Sequence, residues 1–97
     1  IEAAAPLVST VDLASAAITL AQELLPIGNR SVCSDVAAAA ESARAALGTA
    51  LGTLEMNIAA IKDETERERL GQATTKASEM INHAEELSVA VRSAVSA

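Results

Sequence analysis

Cys33 is the only thiol in the chain and His83 the only imidazole, and they stand far apart along it. A cysteine nucleophile needs a base within hydrogen-bond reach, and no neighbour of Cys33 in sequence supplies that base. His83 follows Glu79 by four residues and precedes Glu86 by three, so a helix would bring either carboxylate beside the ring. One histidine with scattered acids still lacks the ligand cluster of a zinc site. Glu64, Glu66 and Glu68 alternate with Arg67 and Arg69, without the spacing or turn glycine of a calcium loop. The expectation is a protein with no catalytic residues, no metal and no cofactor, hence not an enzyme.

Two modifications are legible at one junction, "IGNRSVCSD". Asn29-Arg30-Ser31 is an acceptor triplet for N-linked glycosylation, which calls for a secreted eukaryotic chain and an exposed loop. Cys33 reads in two ways: a small apolar residue buried near a helix start, or an intermolecular disulfide, because an unpaired cysteine in a secreted chain points to bonding between chains.

The elements that must position these groups are helical. Alanine fills 23 of 97 positions and there is no Phe, Tyr or Trp, so helix propensity is high and the core must be thin and aliphatic. A length of 97 residues fits a single domain. The formal charge of −6, with no basic cluster against it, opposes nucleic acid and anionic membranes. The uncharged runs, such as 13–22 and 45–54, reach about half the length that a spanning helix needs, so no transmembrane helix is expected. The first residue is Ile and not Met, which reads as a processed or cut N-terminus.

Periodicity divides the chain into an extended segment over residues 1–8, helix one over 9–25, a linker over 26–33, helix two over 34–62 and helix three over 66–96. Ser9 or Thr10 can cap the first helix. Its apolar residues form two rows, Leu13, Ala17, Leu20 and Leu24 beside Ala14, Ile18, Ala21 and Leu25, wide enough for two neighbours. Val36, Ala40, Ala43, Leu47, Ala50 and Leu54 make a stripe on the second, and Leu70, Ala73, Ala77, Met80, Ala84, Leu87, Val91 and Ala94 keep heptad spacing on the third. Between them "KDETERER" offers capping pairs Asp63 with Glu66, or Thr65 with Glu68, and so a tight αα-hairpin. One unbroken helix is the alternative, since none of those eight residues is Gly or Pro.

The fold class expected is all-α, a three-helix antiparallel bundle of one short helix and a long αα-hairpin. A first helix of about 17 residues beside arms of about 30 measures roughly 25 Å against roughly 45 Å by the helix rise. Leu51, Leu54, Ile58, Ile61, Leu70 and Met80, toward the hairpin tip, are therefore expected to form an uncovered apolar surface. A homodimer is the expected solution. Gly48 and Gly52 read either as a tight helix crossing or as tolerated glycines on a solvated face. The function expected is a non-enzymatic structural or interaction protein acting through that surface, with a carrier of lipid or another small apolar ligand as the alternative. No stretch is specific enough to name a family.

Overall fold

The alanine-rich chain forms three α-helices in a computed structural model that describes residues 5–25 and 30–96: α1 over Ala5–Leu24, α2 over Arg30–Ala60 and α3 over Glu64–Ser96. They pack into an all-α three-helix bundle measuring 52 × 17 × 16 Å, with no strand among the described residues. The α2–α3 hairpin has the largest interface, and α1 packs more on α2 than on α3. Residues 1–4, 26–29 and 97 lie outside the described residues.

α1 starts at Ala5, ahead of the expected Ser9. Pro6 explains the difference, because a first-turn proline surrenders an N–H that has no helical partner anyway and its fixed φ suits the helix. Thr10 is therefore interior and not a cap, its hydroxyl donating to the Pro6 carbonyl at 2.9 Å. α2 likewise starts at Arg30, so Cys33 belongs to the helix and not to a linker. Cys33, Val36 and Ala40 extend the buried stripe backward at helical spacing.

The hairpin breaks at residues 61–63, which excludes the single unbroken helix. Asp63 is the cap of α3: its Oδ1 accepts the Thr65 N–H at 3.0 Å, and its carbonyl accepts the Arg67 N–H at 2.9 Å. Glu66 does not complete a reciprocal box, because its carboxylate accepts from the Arg69 guanidinium instead. That hydrogen bond, with the charge of Glu66, raises the Arg69 pKa above its ordinary value.

The core follows the stripes. Ile18, Leu47, Leu54, Leu70 and Val11 are its largest fully buried side chains. The stripe positions of α2 from Val36 to Leu54 are all buried, while on α3 Met80 is half-buried and Ala94 exposed. Ser15 is buried in α1 with its hydroxyl unpartnered. α1 is also long and apolar enough to cross a membrane by length and composition alone. Here its Val11, Ala14, Ile18 and Ala21 are buried, as in the core helix of a bundle.

Candidate functional site

The tip of the hairpin is covered by its own chain, which corrects the expected apolar surface. Leu54 and Leu70 are each 0% exposed, and Leu51, Ile58, Ile61 and Met80 are half-buried against the same core. The earlier start of α1 is the reason. Lengthened at its N-terminal end, the helix carries Leu7 and Val8 to the cluster that holds Leu54 and Leu70.

Cys33 is a free, buried thiol. It packs in a cluster with Ala21, Val36, Ala40, Leu87 and Val91. Starting α2 at Arg30 turns the sulfur inward, away from the surface that an intermolecular disulfide requires. His83 is exposed on α3, on another helix from Cys33. Among the described residues no group of three or more His, Cys, Asp or Glu is placed to hold a metal ion. Asn29 lies outside the described residues. The glycines are not explained by close packing within the chain. A Cβ on Gly52 would meet nothing within 4 Å, and one on Gly48 nothing nearer than Arg44 Nη1 at 3.8 Å.

Single large apolar side chains are exposed on the hairpin at Met56, Val89 and Val95, but exposed leucines follow one another in a row along the flank of α1. Of the two rows read from its sequence, Ala14, Ile18 and Ala21 enter the core, while Leu13 is 73% and Leu20 57% exposed. Leu24 and Ala17 are exposed in the same row. This row borders α2 along two adjoining grooves. One, of about 440 Å³, is lined by Ala17, Leu20, Ala21, Leu24, Asp35, Val36 and Ala39. The other, of about 400 Å³, is lined by Thr10, Leu13, Ala14, Ala17 and, from α2, Ala39, Ser42, Ala43 and Ala46. Thr10, Leu13, Ala17, Leu20 and Leu24 recur at alternating spacings of three and four, the seam pattern of a helix that packs against another helix.

The charges are turned the other way. Asp12, on α1, accepts from Lys76 of α3 at 2.8 Å. On α2, Arg44 Nη2 lies 3.8 Å from Glu85 Oε2 of α3, and Glu41 Oε1 accepts from Ser88 Oγ of α3 at 3.1 Å. Among the described residues, both grooves together are lined by one charged side chain, Asp35, at one end. A chain with 13 carboxylates thus presents an almost uncharged face where α1 meets α2.

Sequence reasoning finds the leucine row but not the shelf of Ala39, Ser42 and Ala46 that borders it. The shelf lies beside the heptad stripe and carries no large apolar residue. Its signal is negative: between Asp35 and Glu55 the charged residues are Glu41 and Arg44 alone, and a helix places both on the side away from Ala39 and Ala46.

A family model described as formiminotransferase-cyclodeaminase matches residues 1–76. No curated protein and no solved structure matches. The match covers more than half of the chain, which therefore belongs to the formiminotransferase-cyclodeaminase family.

Proposed function

We propose that this member of the formiminotransferase-cyclodeaminase family works as a helical interaction module, burying the α1–α2 face against a protein partner, and does not itself carry the reacting groups. The single observation behind this reading is the exposed row of Leu13, Leu20 and Leu24 beside an uncharged shelf. Contiguous apolar surface of this kind marks interaction sites, and removing it from water is the main driving force of association.

The family name describes transfer of a formimino group and a ring-closing deamination. Both reactions move protons, and proton transfer calls for a positioned acid or base. In this chain Cys33 is enclosed in hydrocarbon and His83 stands on an outer flank of α3. The non-enzymatic reading rests on that separation. Its test is ammonia release from a formimino-substituted amine by the chain alone. The expected rate equals that of the uncatalysed reaction; saturable release abolished by His83→Ala or Cys33→Ala would overturn the reading.

A second reading is favoured by the size of the groove beside Leu20. Its volume of about 440 Å³ comes with a lining that is largely hydrocarbon. Such a size and lining fall within the range of small-molecule sites. Displacement of a fluorescent fatty acid distinguishes the two. Saturable uptake abolished by Leu20→Glu supports the carrier, and no uptake leaves the protein-binding face.

A further inference from the structure

The groove beside Leu20 carries its charge at one end. Ala21 and Val36 are buried in its floor, and Leu20 and Leu24 stand exposed on its α1 side. Leu24 and Asp35 share this groove while Leu13 and Ala46 share the next, and Ala17 and Ala39 border both. The two therefore run on as one apolar trough along α1. From Leu24 to Leu13 it measures about 16 Å by the helix rise. Its polar side chains other than Asp35, Thr10 and Ser42, stand in the half away from that carboxylate, and the Thr10 hydroxyl already donates to the Pro6 carbonyl.

Asp35 is exposed, and among the described residues it enters no hydrogen bond or ion pair. The cations that flank these helices are turned away from it. Lys76 holds Asp12 and Arg44 faces Glu85, both on the α3 side. Among the described residues no cation lines either groove. A ligand matched to this surface has one long apolar part and one positive end.

We infer that the trough takes an amphiphilic cation, a primary amine on a single hydrocarbon chain, with its ammonium group at Asp35 and its tail laid past Ala17 and Ala39 toward Leu13. This inference rests on the carrier reading and names the head group of the ligand. The tail supplies the larger share of the affinity, because that share grows with the apolar area removed from water. An alkyl amine is protonated at neutral pH, so its head pairs with Asp35, and the formal charge of −6 draws it in from a distance. A carboxylate head is opposed by both. A fatty acid therefore enters by its tail alone and binds more weakly than the amine.

The test is displacement of the neutral fluorescent reporter N-phenylnaphthylamine from the full chain at low micromolar concentration, with circular dichroism confirming that each variant is helical. The competitors are decylamine, decanol and decanoate below their micelle thresholds, which share a tail and differ in head. Decylamine is expected to displace at about three-fold lower concentration than decanol, the size of effect an exposed ion pair provides, with decanoate weakest. Asp35→Asn should bring decylamine to the decanol value. Glu79→Gln, which removes the same charge at an exposed position of α3, should keep the preference. Equal loss in both variants makes net charge the cause and overturns the role of Asp35. Equal displacement by all three heads overturns the cation and keeps the carrier, whereas no reporter uptake overturns both. Uptake untouched by Leu20→Glu lies elsewhere and overturns the trough. A chain already at twice its mass by sedimentation in this range, without uptake, gives the face to a second copy and overturns the ligand.

Discussion

Lys76 of α3 donates to Asp12 of α1 at 2.8 Å, an ion pair that joins the first helix to the last. It pins the short helix to the hairpin and draws the acidic group of its first half away from the α2 side. Both side chains are about half exposed, so the pair stabilises little in water. A double-mutant cycle of Asp12→Ala and Lys76→Ala, followed by urea unfolding, should return a coupling of about 0.2–1 kcal/mol that shrinks with added salt.

The two leucine environments should respond differently to truncation. Leu54 is fully buried in a core with few large side chains. Leu54→Ala leaves a cavity there, for an expected loss of about 2–5 kcal/mol. Leu13→Ala, measured where the monomer prevails, should stay within about 0.5 kcal/mol of the parent. Urea midpoints at low micromolar concentration provide the comparison.

Asp63 holds the start of α3 through Oδ1. Asp63→Ala should lower stability by about 1 kcal/mol, the usual value of an N-cap, and Asp63→Asn should retain most of it. Thermal melts of the three chains by circular dichroism check the order.

Gly52 lies mid-helix in α2 with open space where a Cβ would stand. Gly52→Ala should therefore raise the stability of the isolated chain by about 1 kcal/mol, since the helix gains propensity and loses no contact. A shift of the urea midpoint to higher concentration is the expected readout.

Much of the fold is legible because hydrophobic period and breakers agree. The stripe from Val36 to Leu54 is buried without exception, and Asp63 marks the bend although no Gly or Pro is present. The start of α1 is harder to read, because Pro6 looks like a barrier in sequence, whereas α1 accommodates it in the first turn, where a proline is compatible with a helix. That one difference moves the expected surface. A helix starting at Ser9 leaves Leu54 and Leu70 bare, and one starting at Ala5 brings Leu7 and Val8 to them. The exposed face is half visible: the width of the apolar rows on α1 calls for two neighbours, but periodicity does not say which row faces inward. Ile18 is 0% exposed and Leu13 is 73% exposed, though their rows are equally apolar. The branched Ile18 lies in the row that enters the core, and that choice is made by the position of α2 and α3, which local sequence does not encode.

With no other partner present, the apolar face of α1 should meet a second copy of the chain as concentration rises, so sedimentation equilibrium of the unmodified chain and of Leu20→Glu, from low to hundreds of micromolar, tests the central claim most directly. The account predicts that the parent approaches twice its 9.8 kDa chain mass as concentration rises, while Leu20→Glu stays at the chain mass with unchanged helicity. Equal masses for the two at every concentration would contradict it.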